Sequence, residues 1–246
     1  MTKAEIQFVR SLSDKRTRDQ ERLFIAEGKK LIDEIEQSTL TIRRIYTTLP
    51  DLKGANVELV DKTTMERISQ LKSASDALAI VEQPRHKLDI KALKGELTLA
   101  LDGVQNPGNL GTIIRLADWF GIKNIICSTE CADLYNPKVV QATMGAILRV
   151  GVHYTPSLAA TLSEASANGL AIYGTLLDGK NIYSEELHTE GIIVMGNEGR
   201  GLSSDCRNTL THKLFIPPYP ADAATSESLN VAMATGIILA EFRRPR

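Results

Sequence analysis

Five polar side chains, spread over three short stretches, have the types and spacing for chemistry on a phosphate or a hydroxyl. The first stretch is Gln105-Asn106-Pro107-Gly108-Asn109-Leu110-Gly111, followed by an apolar-periodic run carrying one cation, Arg115. With Asn109 as the helix cap, Arg115 falls in the second turn and can swing towards the loop. Free N–H groups at a helix start attract anions, and a forked guanidinium beside them strengthens that attraction. A Gly-rich turn with an ordinary capping Asn and a surface Arg explains the same residues equally well. The second stretch, Gly196-Asn197-Glu198-Gly199-Arg200-Gly201-Leu202, follows the apolar run "IIVM". Its glycines imply unusual dihedrals or close backbone approach, and an Asn-Glu pair at the end of a buried strand is costly without partners. The third is Ser228-Leu229-Asn230, reached from "LFIPP" through "YPADAATSE". Ser228 suits a helix cap, and Asn230 falls in the first turn.

Other chemistries find little support. The glycine spacing is neither that of a dinucleotide fingerprint nor that of a P-loop, and no Ser-His-Asp or Cys-His arrangement stands out. The three cysteines, Cys127, Cys131 and Cys206, form no CxxC pair and accompany only four histidines. They read as reduced core thiols of a cytoplasmic protein, with neither a disulfide framework nor a metal site expected. No secretory h-region or membrane-length apolar run is seen, so no membrane partner is expected. The net charge of −1 excludes gross polyelectrolyte binding. Local patches remain, because the first 30 residues hold 8 Lys+Arg against 5 Asp+Glu, and Arg243, Arg244 and Arg246 end the chain. Such patches fit either a phosphate backbone or solvated helix faces.

The elements that must position these residues divide at a polar, basic stretch. Residues 1–83 read as charge-rich helices near Lys3–Leu12 and Lys29–Gln37, with short strands near Ile42–Thr47, Val57–Val60 and Leu78–Val81. A further helix in "TTMERISQLKS" is expected with Thr63 or Thr64 as cap. Residues 84–96 form the linker. From Leu97 to Arg246, continuous apolar runs ("LTLALDGV", "KNIICST", "AIYGTLL", "GIIVMGNE", "KLFIPP") alternate with helices starting near Asn109, Pro137, Ser157, Ser203 and Ser228. That alternation predicts an α/β domain, a mostly parallel sheet with helices on both faces. Ligands of such folds bind where strands end at their carboxyl edge, which is where the three stretches stand.

"NPGNLGTIIR", "VMGNEGRGL" and "IPP…SLNVAMATG", in that order, resemble the signature motifs of the SpoU/TrmH family of RNA ribose methyltransferases in the SPOUT superfamily. "YNPKVVQATMGAILRV" is similar to a further family segment, with Thr143 at a position usually Ser. "KRTRDQERLFIAEGKKLIDE" resembles, more loosely, the start of a small ribosomal-protein-like α/β RNA-binding domain.

The resemblance implies a C-terminal trefoil knot, a homodimer, and S-adenosylmethionine as methyl donor to an RNA ribose 2′-hydroxyl, without a metal. Thr175, Gly196, Ile216 and Leu229 match the positions lining the cofactor pocket. Asn109, Arg115, Glu198, Ser228 and Asn230 match the active-site positions. Because a guanidinium stays protonated, Arg115 is expected to hold the RNA phosphate and stabilise charge on the 2′-oxygen, not to act as base. Glu198 and Asn230 are expected to orient loops and ribose. Ribosomal RNA is preferred to tRNA because of the separate N-terminal domain. A non-catalytic RNA binder and a nucleotide-dependent oxidoreductase are the alternatives. The "YPADAATSE" connection is longer than usual for the family.

Overall fold

The computed structural model describes residues 1–85, 87–220 and 228–245. In chain order the first elements are α1 (Lys3–Ser11), α2 (Lys15–Glu21), β1 (Leu23–Glu27), α3 (Lys29–Glu36), β2 (Ile42–Thr47), β3 (Val57–Leu59), α4 (Lys62–Ile68) and β4 (Ala77–Glu82). Then come β5 (Leu97–Leu101), α5 (Pro107–Trp119), β6 (Asn124–Ser128), α6 (Pro137–Thr143), β7 (Gly151–Thr155) and α7 (Leu158–Ala167). The last are β8 (Ile172–Asn181), β9 (Gly191–Met195), α8 (Ser204–Arg207), β10 (His212–Phe215) and α9 (Val231–Phe242).

These elements form two compact units. Met1–Arg85 and Asp133–Leu148 make the first, and His86–Ala132 with Arg149–Arg246 the second.

The first unit is built on a mixed sheet in the order β1-β4-β2-β3, with β2 and β3 parallel and the other pairs antiparallel. β1, "LFIAE", was not anticipated as a strand, yet all five of its residues are buried. Successive side chains face opposite ways. Leu23 and Ile25 therefore join Val9, Leu12, Met65 and Ile68 of α1, α4 and their flanks, while Phe24 and Ala26 join Ile32 and Ile35 of α3. Val140 of α6 belongs to that second cluster, and the Tyr135 ring lies 4.8 Å from Phe24. Arg18, only 2% exposed, donates to the Leu12 and Ser13 carbonyls and pairs with Asp133. α4 is capped by Asp61, which accepts from the Thr64 N–H at 2.6 Å, and not by Thr63 or Thr64 as expected. A carboxylate is the stronger acceptor at a helix start, which displaces the cap two or three residues upstream.

The second unit carries a six-stranded sheet, β10-β8-β9-β5-β6-β7, parallel at every pairing. Ala100, Ile126, Ile172, Ile192 and Val194 pack with Leu158, Leu162 and Ala165 of α7 and Cys206 of α8. The intervening Leu99, Leu101, Ile125, Cys127 and Ile193 are also fully buried, so the opposite face is covered too. Burial on both faces is what makes these strands continuous apolar runs. β9 comes late in the chain yet lies between the earlier β5 and β8. The loops that leave the neighbouring parallel strands β5 and β9 are thereby brought together at the carboxyl edge of the sheet. β7, "GVHYT", half-exposed and only partly apolar, was not anticipated.

Candidate active site

The loop after β5 turns at Gly103, whose φ of 71° is left-handed and suits glycine. Its N–H donates to Ser128 Oγ at 3.0 Å. Beneath it, the Cys131 thiol donates to the Leu101 carbonyl at 3.2 Å. All three cysteines are buried and free.

α5 starts three residues earlier than expected. Asn106, not Asn109, is the cap: its Oδ1 accepts from the N–H groups of Gly108 at 2.8 Å and Asn109 at 3.2 Å, with Pro107 at the first helical position. Both residues are asparagine, and the proline decides between them, since it suits the first turn, where its missing N–H has no helical partner. The Asn109 side chain is therefore free for other partners. Its Nδ2 donates to Glu198 Oε1 at 2.6 Å, and its Oδ1 accepts from Asn230 Nδ2 at 3.1 Å.

Asn230 in turn caps α9, accepting from Ala232 and Met233 N–H groups at 3.0 and 3.3 Å. This corrects the assignment of Ser228 as cap. Ser228 lies two residues upstream, exposed, and has an interaction partner of its own. One amide of α5 thus links the loop after β9 to the start of α9. Asn109, Glu198 and Asn230 come from positions up to 121 residues apart in the chain.

Arg115 does not join them. With α5 starting at Pro107, it sits in the third turn, not the second. Six residues at about 100° each place it roughly 120° around the helix from Asn109. It belongs to an exposed stripe with Gly108, Thr112 and Trp119. Among the described residues it makes no side-chain hydrogen bond or ion pair. Trp119 is 84% exposed, an unusual state for the chain's single tryptophan.

α5 and α9 run side by side in the same direction. Asn109 and Asn230 meet at their starts, Leu116 reaches Gly236 midway, and Arg243 Nε donates to the Phe120 carbonyl at their ends. α9 also leaves an exposed stripe, with Asn230, Met233 and Ala240.

Gly196 and Ile216 follow the carboxyl ends of β9 and β10, and β8, the strand between those two in the sheet, carries Thr175. Thr175 lies within β8 where that strand passes β9, with its Oγ1 3.4 Å from the Val194 carbonyl. A Cβ at Gly196 would run into the backbone of Gly201, so the loop closes on itself there. Ile216 is half-buried, and Leu229, immediately before the α9 cap, is 49% exposed. None of these four residues carries an ionisable side chain, a chemistry that suits a neutral purine nucleoside such as the adenosine half of S-adenosylmethionine. The connection "YPADAATSE" falls largely in 221–227, outside the described residues, as does Arg246. No three His, Cys, Asp or Glu residues group to hold a metal among the described residues. No described helix is long and apolar enough to cross a membrane.

Residues 96–240 match the SpoU rRNA Methylase family, well over half of the chain. The chain belongs to the SpoU rRNA methylase family. Its residues 3–79 match the MRM3-like substrate binding domain. Among SpoU relatives, the 23S rRNA (guanosine(2553)-2′-O)-methyltransferase RlmP of Bacillus subtilis is 28% identical over 95% of this chain and 94% of its own. A solved structure of a TrmH-family protein from Porphyromonas gingivalis is 35% identical, with a TM-score of 0.88 over 99% of this chain and 98% of that one. The AdoMet-bound rRNA methyltransferase from Sinorhizobium meliloti is 28% identical, with a TM-score of 0.85 over 99% and 95% of the two chains.

Proposed function

We propose that the protein transfers a methyl group from S-adenosylmethionine to a ribose 2′-hydroxyl of ribosomal RNA, in the cytoplasm. The observation that carries this reading is the hydrogen-bonded meeting of Asn109, Glu198 and Asn230 at the carboxyl edge of a parallel sheet. Membership of the SpoU family and the names borne by the Bacillus subtilis and Sinorhizobium meliloti relatives supply the reaction class. The first unit is the RNA-binding part, in keeping with its match to a substrate binding domain.

Thr175, Gly196, Ile216 and Leu229 would hold S-adenosylmethionine, which when bound supplies an electrophilic methyl carbon on a sulfonium sulfur. Glu198 has one carboxylate oxygen engaged by Asn109, leaving the other to accept from a ribose hydroxyl. Asn109 and Asn230 keep that carboxylate in place, and Ser228 extends the polar rim beside them. Arg115 holds an RNA phosphate bidentately and stabilises negative charge developing on the 2′-oxygen. A guanidinium only donates hydrogen bonds, so the hydroxyl proton leaves through the phosphate or water.

The exposed stripes of α5 and α9, with Trp119 and Met233, are the surface on which a second copy packs as a homodimer. Packing there places Arg115 of one protomer at the interface, where it can serve a site it does not reach within its own chain. The late insertion of β9 and α9 into the fold is closed by the trefoil knot of the family.

The test is to map 2′-O-methyl groups in rRNA and tRNA from cells with and without the protein, then add back purified protein and S-adenosylmethionine. One rRNA site should vanish and be restored. No change in rRNA, or a site lost from tRNA alone, refutes the proposal.

A further inference from the structure

Asn197 lies next to Glu198 in the loop after β9, and every polar group of its side chain is engaged. Its Nδ2 donates to the Gly103 carbonyl at 2.8 Å, across to the loop after β5. Its Oδ1 accepts from the N–H groups of Gly199 at 2.9 Å and Arg200 at 3.1 Å, within its own loop. Its backbone exchanges a pair of hydrogen bonds with Gly201, at 3.0 and 2.9 Å. One side chain thus folds the loop and fastens it to the other loop.

The peptide it grips is fixed from the other side, because the Gly103 N–H is held by Ser128. The neighbouring Asp102, buried, accepts from the Ser203 N–H at 2.7 Å and closes the far end of the β9 loop onto β5. The separation between Asn109, in the first turn of α5 after one loop, and Glu198 on the other loop follows from these anchors.

We infer that Asn197 is a positioning residue for the reaction: it sets the Asn109–Glu198 contact by fastening the loop after β9 to the Gly103 peptide. The inference rests on the methyl-transfer reading for its consequence in rate, but the contact itself can be observed without catalysis. Asn197→Asp keeps the acceptor and the shape while removing the donor to Gly103, and it sets a carboxylate against that carbonyl. Asn197→Ser keeps an acceptor too short to span the loops and serves as the second variant should the first fail to fold.

Two measurements test the inference. In ¹⁵N-labelled full-length protein, the Asn109 side-chain amide protons, identified by their loss in Asn109→Ser, should move in Asn197→Asp as they move in Glu198→Ala. In single-turnover methyl transfer to 23S rRNA, Asn197→Asp should lose about 10–100-fold. In the Glu198→Ala background the same substitution should cost less than about threefold, because interacting groups are not additive. Unmoved Asn109 amide resonances, or rate losses that multiply, overturn the assignment of Asn197. A folded wild-type protein that binds S-adenosylmethionine yet methylates no rRNA sinks the functional reading instead, and the amide resonances still decide the role of Asn197.

Discussion

The Asn109–Glu198 contact makes a sharp prediction about Asn109→Asp. In the native protein an amide donates to Glu198 Oε1 at 2.6 Å. The substitution puts a second carboxylate in that place with almost no change in shape. Two unit charges about 4 Å apart repel by ~4 kcal/mol at an effective dielectric of 20. Both positions are only partly buried, so solvent screening reduces this to about 2 kcal/mol, or ~1.5 pK units at 1.36 kcal/mol each. The pair should then share a proton, with its upper apparent pKa near 6 against about 4 for free carboxyls. A carboxyl whose folded pKa is raised costs stability once pH exceeds the unfolded value, and the cost is complete above the folded value. Relative to wild type, the variant should therefore melt nearly normally at pH 3.5, show part of the loss by pH 4.5, and melt about 4–8 °C low at pH 7.5. Single-turnover methyl transfer should show a matching loss on the alkaline side. Asn109→Ala, which removes the donor without adding charge, should show a pH-independent deficit in both. Scanning calorimetry across pH on all three proteins decides the matter. A melting difference for Asn109→Asp that is flat from pH 3.5 to 7.5 would refute the contact as the organising bond of the site.

Two further outcomes are expected. Arg115→Lys should lower turnover by ~10²–10³-fold while leaving S-adenosylmethionine affinity, read by calorimetry, within threefold, because a point charge replaces a bidentate fork. A loss below threefold would remove Arg115 from the reaction. Trp119→Glu, at a side chain 84% exposed in the single chain, should leave folding intact by circular dichroism and shift light-scattering mass from dimer to monomer. An unchanged mass would place the second copy elsewhere.

How legible this site was varied with the kind of signal. Strands buried on both faces announce themselves as apolar runs, which is why β5, β6, β8 and β9 were anticipated; β7 escaped because it is partly exposed and only partly apolar, and β1, although buried throughout, because it stands between two charge-rich helices and ends on Glu27. Helix starts were expected near Ser157 and Ser203, and each serine caps the helix found there. Asn106 and Asn230 were missed as caps because a second candidate stood nearby, and the choice depends on which side chain has business elsewhere. Asn109 could cap α5 only by giving up Glu198, 89 residues away. That partnership is a property of the sheet order, which no local pattern encodes. Asn197 had no signal beyond its place between glycines, since the carbonyl it binds belongs to a residue 94 positions earlier.

The early start of α5 has a consequence for how labour is divided on that helix. Had Asn109 been the cap, its side chain would have been spent on the helix's own N–H groups, with Arg115 one turn nearer the loop. With Asn106 taking over the capping, Asn109 turns its amide to Glu198 and Asn230, and Arg115 moves to an exposed face about 120° away. The two residues of one motif then cannot serve one ribose from the same side of α5. A fixed cation on an exposed stripe shared with an 84% exposed tryptophan is costly to cover by protein unless the cover brings an anion or leaves the guanidinium at its edge. A second copy packed over Trp119, as proposed, would leave Arg115 at such an edge, where a phosphate of the bound RNA would supply the anion. On this geometry, dimer contact and RNA binding are linked. Trp119→Glu should therefore weaken methyl transfer by about as much as Arg115→Lys does, although it alters no residue that touches the ribose. Mixing inactive Arg115→Lys with an inactive Glu198→Ala protein should restore part of the rate, since a mixed dimer has one site with both native residues. Mixtures no more active than their parents would confine each site to a single chain.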